Sequence, residues 1–419
     1  MKKQKIPWPF GNKKEKLNAW FSFVIALVTG AVVVATCVYS FSFYYSTNNF
    51  QASGEIKDCP YGHTFYDDPN LSYSIGDLIE NWDEKRAEWL KHHPGYIDGA
   101  ANRVLLLTGS QPSQCGSPVG DFFLLRLFKN KVDYCRIHGY DIFYNNAYFH
   151  PKLDKLWAKP AAIRASMLAH PEAEWIWWVD VDAVITNMEF KIPLEKYKNH
   201  NIILNGRPDE VFEKRSWVGI NAGVVLFRNC QWTMDFLNAW VSMGPISPDF
   251  QRWGRIFVST FSDKTDPRST DQSALGYMLL KQYDKWGSKI YLENDYCFQC
   301  YWDMAVDWLK KATNSYANIE MNVSELKRRH AELDTQSYGD LREIYLEQGG
   351  YGKKTGRRPF ITHFTGCSPC SGKHNPIYDG DSCWEGIEKA LNFADNQVLR
   401  NFGFLRPDLS NASSPVYPI

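Results

Sequence analysis

The sequence predicts an α/β fold with a Rossmann-like central sheet, preceded by an N-terminal transmembrane helix. Between residues 103 and 179, short apolar stretches alternate with longer amphipathic ones, which indicates the order strand, helix, strand, helix, strand. This order is typical of a parallel sheet with right-handed crossovers. The segment Trp175–Val179 is apolar throughout, and such a segment suits a central strand that is buried on both faces.

The N-terminus indicates a membrane anchor. Six lysines among the first 16 residues precede an apolar stretch at 19–45 that contains no charge and is long enough to cross a bilayer. A cleaved signal peptide has a shorter apolar region, so we favour a signal anchor. The predicted plan is a cytosolic tail at 1–18, a transmembrane segment at 19–45, a lumenal stem at 46–99 and a lumenal α/β domain at 100–419. A charged, partly helical insertion is expected at about 310–358.

Cysteine usage agrees with a lumenal domain. Nine of the ten cysteines follow the apolar stretch, and in an oxidising compartment they favour disulfides or buried thiols. The pairs Cys297/Cys300 and Cys367/Cys370 leave a four-thiolate zinc site as an alternative. Exposed glycosylation sequons are predicted at Asn70, Asn322 and Asn411.

Charge excludes one class of partner. The 47 basic residues balance the 47 acidic ones, so no overall positive field favours a nucleic acid. The 16 tryptophans and 23 tyrosines lean toward a protein that handles carbohydrate, although most must be core residues.

The elements follow from apolar spacing and from the residues that end each stretch. Gly139 ends the second predicted helix, and Pro160 is tolerated because it falls in the first turn of the third. Strands are predicted at 103–108, 140–144, 175–179, 202–204 and 224–227, and the stretch 358–367 is strand-like. Helices are predicted at 79–90, 121–138, 157–169, 231–243, 271–280 and 384–402.

Two carboxylates close the central strand. Side chains in an extended segment alternate, so Asp180 and Asp182 are expected on the same side, close enough to share one hard cation. Ligands of open α/β sheets bind beyond the carboxyl ends of the strands, where this pair falls. The alternative is that both residues simply end a strand and start a turn.

Three further positions are candidates for the same site. Gly109 and Ser110 end the first strand, where a nucleotide pocket is expected, although a tight turn also requires glycine. His363 precedes a glycine turn and is a candidate third metal ligand, or else a hydrogen-bonded structural residue. Thr270 or Asp271 suits the N-cap of the helix that follows.

Five motifs together resemble one family. The motifs are Trp177-Trp-Val-Asp-Val-Asp-Ala183, Leu226-Phe-Arg-Asn-Cys-Gln-Trp232, Asp271-Gln-Ser-Ala274, Pro359-Phe-Ile-Thr-His-Phe-Thr-Gly-Cys-Ser-Pro-Cys370 and Leu391-Asn-Phe-Ala-Asp-Asn-Gln-Val-Leu399. They resemble the plant Golgi family of xyloglucan α-xylosyltransferases and galactomannan α-galactosyltransferases, in the same order from about residue 103 to about residue 404. The resemblance implies a GT-A fold, a UDP-sugar donor, Mn²⁺ or Mg²⁺, and transfer with retention to O6 of a β-1,4-linked backbone.

The resemblance also implies roles for single residues. Asp180, Asp182 and His363 are similar to the three metal ligands of the family. Asp271 and Gln272 resemble catalytic residues beside the donor sugar. The residues that resemble the rest of the UDP-sugar site are Gly109, Ser110, Tyr144, Lys159, Asp180, Asn221, Gly223, His363 and Gly366.

The branch of the family sets the expected substrates. Asn221-Ala-Gly223 and Ser368 are more similar to the galactosyl branch, which implies UDP-galactose and a β-1,4-mannan or glucomannan acceptor. Thr270, where the family commonly has Asp, and Val181, where a small Ser is common, depart from the pattern. The alternatives are UDP-xylose with a β-1,4-glucan acceptor, or a non-catalytic partner in a complex. Homo- or hetero-complexes with other Golgi glycosyltransferases are also expected.

Chemistry leaves one rival for the carboxylate pair. Asp180 and Asp182 could instead be the acid and base of a glycoside hydrolase. We favour this interpretation less, because the two carboxylates of such enzymes are held about 5 to 10 Å apart across the scissile bond and rarely lie two residues apart on one strand end. For transfer we expect front-face attack, with Gln272 near the anomeric face and no covalent intermediate. Four aromatic residues are candidates for choosing the acceptor, namely Trp217, Trp240, Tyr301 and Trp302.

Overall fold

The computed structural model describes residues 62–99, 102–153, 155–327, 331–351 and 356–419. The chain divides into two compact units, and the second, His63–Ile419, contains nearly all of these residues. The predicted transmembrane segment at 19–45 lies outside them. Among the described residues, no helix is both long enough and apolar enough to cross a membrane.

The predicted α/β class is confirmed, with a six-stranded sheet at the centre of the second unit. Its strands are β1 (Val104–Gly109), β2 (Asp141–Asn145), β3 (Trp175–Val179), β5 (Ile202–Gly206), β6 (Ile220–Arg228) and β7 (Ile290–Glu293). They lie side by side in the order β2-β1-β3-β6-β5-β7. β1 pairs with β2 and β3 in parallel, as the sequence predicts. The sheet as a whole is mixed rather than parallel, because β6 runs antiparallel to both β3 and β5.

The short connection between β5 and β6 explains why β6 runs antiparallel to β5. A parallel neighbour needs a long crossover connection, usually a helix. The chain between Gly206 and Ile220 instead holds one short π-helical turn, Asp209–Glu213, and then turns back beside β5.

Helices cover both faces of the sheet. The helices are α1 (Trp82–His92), α2 (Gly120–His138), α3 (Ala158–Ala169), α4 (Gln231–Val241), α5 (Phe250–Thr260), α6 (Asp271–Lys281), α7 (Tyr283–Trp286), α8 (Trp302–Asn322), α9 (Thr335–Gln348) and α10 (Ser382–Asn401).

Alternate residues of the central strand feed two separate cores, as its period of two requires. Ile176 and Trp178 pack into one core with α3, α4 and α6. Trp175, Trp177 and Val179 pack into the other with α2 and α10. The strand is therefore buried on both faces, as predicted.

Two predicted regions differ in detail from the structure. Part of the predicted stem packs on the domain: Trp82 of α1 is fully buried, and its indole donates a hydrogen bond to Asn229. The charged insertion starts with α8 and is not wholly solvated. Arg342 of α9 is buried and forms ion pairs with Glu189 and Glu320, because paired charges can enter an interior that isolated charges cannot.

A second sheet of three short strands lies beside the first. β4 (Ala183–Ile185) pairs with β9 (Ile361–His363), which in turn pairs with β8 (Cys300–Tyr301). Short hairpin pairs follow, formed by β10 (Cys367–Ser368) with β11 (Lys373–His374) and by β12 (Phe404–Leu405) with β13 (Tyr417–Pro418).

Disulfides cross-link the short strands and the loops around them. The bonds are Cys115–Cys370, Cys297–Cys300 and Cys367–Cys383, so the four-thiolate zinc alternative is excluded and the favoured disulfides are confirmed. Among the described cysteines, Cys135 and Cys230 are free.

Candidate active site

The two carboxylates lie in the turn between β3 and β4. The amide of Ala183 donates to the carbonyl of Asp180 at 3.1 Å, which closes a tight turn directly after the buried strand. The turn departs from the extended geometry expected from the sequence. Both carboxylates nevertheless reach one point, because β4 pairs with β9 and sets Ala183 opposite His363.

His363 completes a group of three possible ligands. Its Nε2 lies 3.1 Å from Asp182 Oδ1 and 3.8 Å from Asp180 Oδ2, and one ligand atom of each residue lies within 4.8 Å of the others. The hydroxyl of Thr365 lies 3.1 Å from Nδ1 on the opposite side of the ring, which orients the imidazole. Carboxylate oxygens with one imidazole suit Mn²⁺ or Mg²⁺ better than a metal that prefers thiolates.

Gly223 is required by the packing around this group. A Cβ added at residue 223 would lie 2.3 Å from His363 Cε1 and 2.9 Å from Asp180 Oδ2. The carbonyl of Gly223 also accepts the amide of Asp180 at 2.7 Å, so β6 holds the end of β3 in place. The three candidate ligands therefore fit together only because residue 223 has no side chain.

Lys159 links the carboxylate pair to α6. Its ammonium lies 2.7 Å from Asp271 Oδ2, 3.2 Å from the Asp180 carboxylate and 3.1 Å from the carbonyl of Ala222. Burial acts to lower the pKa of Lys159, but the carboxylates of Asp180 and Asp271 outweigh burial and hold that pKa above its ordinary value. Burial raises the pKa of Asp180, and Lys159 opposes that rise. Lys159 is thus a fixed positive charge beside the pair.

The N-terminus of α6 carries the predicted sugar-side residues. Thr270, not Asp271, is the N-cap, since its side chain accepts the amide of Ser273 in a capping box. Asp271 is left to pair with Lys159, and it is 2% exposed. Gln272 bridges two backbone segments: its Oε1 accepts from the amide of Ala222 at 3.3 Å, and its Nε2 donates to the carbonyl of Trp217 at 3.1 Å.

Asn221 acts on its own strand. Its Oδ1 accepts a hydrogen bond from the amide of Gly223 at 2.7 Å, so its side chain turns back along β6 to the residue that packs against His363 and Asp180. The predicted sugar-side residues Asn221, Asp271 and Gln272 thus meet around residues 221–223.

The predicted nucleotide-side residues lie at the same sheet edge. Leu107 pairs with Trp178, so the register of β1 and β3, continued by two residues, brings Gly109 level with Asp180. A Cβ at Gly109 would lie 2.1 Å from the carbonyl oxygen of Asn145, so close strand packing alone requires glycine here. The hydroxyl of Tyr144 donates to Ser110 Oγ at 2.8 Å, which ties these two side chains together.

Gly366 has a conformational reason to be glycine. Its φ is +85°, in the left-handed region, and its carbonyl accepts the amide of Asn375 at 2.8 Å. It turns the chain immediately after Thr365, and no hydrogen bond within the described part of the chain joins it to another candidate residue.

Sequence reasoning missed two residues that touch the carboxylate turn. Trp178 donates its indole N–H to Asp180 Oδ1 at 2.6 Å, and its position two residues earlier on the same strand was an available signal. Lys131 of α2 is wholly buried, with its ammonium against the backbone of the turn. Its signal was a lysine on the apolar stripe of a helix, four residues after Leu127 and four before Cys135. Burial lowers the pKa of Lys131 to about 7, although the nearby carboxylates of the turn oppose that shift.

Comparison with known proteins finds relatives that match most of this chain. The galactosyl transferase GMA12/MNN10 family matches residues 100–374. Galactomannan galactosyltransferase 1 of Cyamopsis tetragonoloba is 52% identical over 364 residues, which cover 87% of this chain and 82% of that protein. Putative glycosyltransferase 7 of Arabidopsis thaliana is 51% identical over 377 residues, which cover 89% of this chain and 83% of that protein. Probable xyloglucan 6-xylosyltransferase 3 of Arabidopsis thaliana is 43% identical over 340 residues, which cover 80% of this chain and 66% of that protein.

Proposed function

Because the chain belongs to the galactosyl transferase GMA12/MNN10 family, we propose that it is a metal-dependent, retaining glycosyltransferase of the GT-A class. The family resemblance seen in the sequence is confirmed. We propose UDP-galactose as donor and O6 of a β-1,4-linked mannan or glucomannan backbone as acceptor. The observation that carries the proposal is the group of Asp180, Asp182 and His363 at the sheet edge, which Lys159 joins to Asp271 at the start of α6.

In this proposal Asp180, Asp182 and His363 hold a divalent cation, Mn²⁺ or Mg²⁺. When bound, the cation neutralises the negative charge that develops on the diphosphate as the bond to the sugar breaks. Lys159 is already paired with two carboxylates, so it balances the charge of Asp180 and Asp271 before the donor arrives. Trp178 and Gly223 keep the Asp180 carboxylate in its place.

The surroundings of Asp271 favour attack on the front face of the sugar. A covalent intermediate needs a carboxylate that is free to approach the anomeric carbon. The Asp271 carboxylate is buried and tied to Lys159 at 2.7 Å, and its backbone carbonyl accepts the indole N–H of Trp240. Gln272 then lies beside the anomeric face, and the leaving diphosphate takes the proton of the acceptor hydroxyl. Trapping a sugar on Asp271 would contradict this mechanism.

Two features support the proposed location, a Golgi membrane protein of type II with its catalytic domain in the lumen. The disulfides suit an oxidising compartment. The sequon residues Asn70, Asn322 and Asn411 are all exposed, as glycosylation requires. The anchor itself, at 19–45, remains an expectation from the sequence.

The rival functions are weaker. The candidate ligand atoms of Asp180 and Asp182 lie within 4.8 Å of each other, closer than the carboxylates of most glycoside hydrolases. A non-catalytic role in a complex with other glycosyltransferases leaves the complete ligand set without a purpose. Transfer from UDP-xylose to a β-1,4-glucan is the second candidate, because a relative named as a xyloglucan xylosyltransferase is 43% identical.

Burial narrows the aromatic residues that could choose the acceptor. Trp240 and Trp302 are core residues, with 0% and 4% exposure. Trp217 is half-buried and its carbonyl holds Gln272, while Tyr301 is exposed and pairs in register with His363. Trp217 and Tyr301 are therefore the acceptor-side candidates.

One experiment tests donor and acceptor together. The purified protein is given UDP-galactose or UDP-xylose with manno- or cello-oligosaccharides, with Mn²⁺ or with chelator. We expect transfer of galactose to the manno-oligosaccharide, and only with the metal. Xylose transfer to the cello-oligosaccharide would establish the second candidate, and no transfer by the protein alone would favour the non-catalytic role.

A further inference from the structure

Lys131 occupies an unusual position under the carboxylate turn. It lies in the middle of α2, on the side that packs against the sheet, and its side chain is wholly buried. Lysine is rarely buried to this degree, because its ammonium loses its hydration. Its presence there calls for partners that replace the water.

The partners are three backbone carbonyls. The Lys131 ammonium lies 2.8 Å from the carbonyl oxygen of Ala183, 3.1 Å from that of Val181 and 3.4 Å from that of Leu127. An ammonium has three N–H donors and no acceptor, so three carbonyl oxygens match it fully. Described residues form no ion pair with it within 4.0 Å, and its place is set by the backbone.

Two of these carbonyls flank Asp182. The carbonyl of Val181 belongs to the peptide bond between Val181 and Asp182, and the carbonyl of Ala183 belongs to the peptide bond between Ala183 and Val184, where the turn ends. Fixing both units limits how the turn can rotate, and the turn decides where the carboxylate points. His363 faces Asp182 from β9 on the other side.

We propose that Lys131 is the positioning residue of the metal centre: its buried ammonium fixes the backbone on both sides of Asp182, so that the carboxylate is in ligand geometry before a divalent cation binds. This inference rests on the proposed metal role of Asp180, Asp182 and His363. Lys131 does not touch the cation in this arrangement. It acts through the backbone of the turn, which makes the metal affinity depend on a residue in α2.

The neighbouring residue supplies a matched control. Asn130 is also buried, and its side chain holds the same segment two residues further on, accepting from the amide of Ile185 and donating to its carbonyl, both at 2.9 Å. Both residues therefore anchor this part of the chain to α2. Of these two residues, only Lys131 binds the carbonyls on either side of Asp182, those of Val181 and Ala183.

The test measures metal affinity, not turnover. Full-length wild type, Lys131→Met and Asn130→Ala are purified in detergent, and Mn²⁺ binding in the presence of UDP is followed by calorimetry together with the melting temperature. Methionine fills the space of lysine without the donors. We expect both variants to melt at lower temperature, Lys131→Met to bind Mn²⁺ at least tenfold more weakly, and Asn130→Ala to stay within twofold of wild type.

The outcomes separate this inference from the proposed function. Wild type that binds no Mn²⁺ with UDP would contradict the proposed function and the positioning role together. Wild type that binds while Lys131→Met binds equally well overturns the positioning role alone. Tighter binding by Lys131→Met also overturns it, because the lysine would then act only by charge repulsion. If Lys131→Met does not fold, Lys131→Gln, which keeps one donor group, is held to the same criterion.

Discussion

The two sides of the candidate site are built on different contacts. On the metal side, Asp182 Oδ1 and His363 Nε2 face each other at 3.1 Å, and an oxygen of Asp180 completes a group of atoms within 4.8 Å of one another. On the sugar side, both polar atoms of the Gln272 side chain are held by the backbone, at Ala222 and Trp217. The metal side therefore depends on individual side-chain atoms, whereas the sugar side depends on how two backbone segments hold one amide. Substitutions on each side should affect different measurements.

The largest effect is expected on the metal side from Asp182→Ala. The variant loses a carboxylate ligand, so we expect at least a thousandfold loss of transfer and loss of the metal dependence of UDP binding. Turnover and UDP affinity, each with Mn²⁺ and with chelator, measure this. Near-normal turnover would remove the metal assignment.

Gly223→Ala should disturb the same side without removing a ligand. The added Cβ would lie 2.3 Å from His363 Cε1 and 2.9 Å from Asp180 Oδ2, so both residues have to move. We expect Mn²⁺ affinity to fall by roughly a hundredfold. Gly95→Ala is the matched control, since a Cβ there meets nothing within 4 Å. Equal Mn²⁺ affinity in the two variants would show that the close approach at residue 223 has no functional weight.

Gln272→Glu should act on the sugar side alone. The carboxylate keeps an acceptor for the amide of Ala222 but loses the donor to the carbonyl of Trp217, which it then repels. We expect kcat to fall by about ten- to a hundredfold with Mn²⁺ and UDP binding unchanged. Calorimetry with UDP beside a steady-state assay tests the split. A parallel loss of Mn²⁺ affinity would mean that the two sides are not separable.

The smallest effect on the candidate site is expected from substituting His138, which lies at the C-terminal end of α2, away from the carboxylate turn. Burial lowers its pKa to about 4, and its Nε2 lies 2.9 Å from the carbonyl oxygen of Met188. The unfolded chain has a His pKa of about 6.5, so between about pH 6.5 and pH 4 the unfolded state binds more protons, and its population rises as the pH falls. We expect about 2 kcal/mol of stability to be lost over this window.

Denaturant unfolding at several pH values measures that loss. His138→Gln should flatten the pH dependence in the window, while its Mn²⁺ affinity at neutral pH stays that of wild type. An unchanged pH dependence would assign the loss to other groups.

Prediction from sequence succeeded where the signal is local. The predicted helix at 121–138 is observed as Gly120–His138, and the predicted central strand at Trp175–Val179 has those same bounds. α5, by contrast, was not predicted: no side chain caps its N-terminus, and Gly254 in its middle lowers the helix propensity of the segment. β4, β7 and β8 were also missed, because strands of two to four residues carry too little alternation, whereas β9 falls within the predicted strand-like stretch that begins at residue 358.

The structure gives contacts for some of the residues whose roles the family resemblance implies, but not for all of them. Lys159, Asp271 and Gln272 lie in one hydrogen-bonded group with Asp180 and residues 221–223. Gly109 and Gly366 are accounted for by close packing and by backbone conformation, and their part in donor binding stays a prediction.

The sequence by itself determined the segment Trp175–Val179 and the carboxylates after it, because burial on two faces and a polar stop are properties of neighbouring residues. The tertiary structure decided what meets those carboxylates, because the sequence offered His363 only as a candidate and gave Lys131 no role. His363 comes from a position 181 residues away through the pairing of β4 with β9, and Lys131 comes from a helix on one face of the sheet. Contacts between distant segments depend on strand register and packing, which no local pattern records.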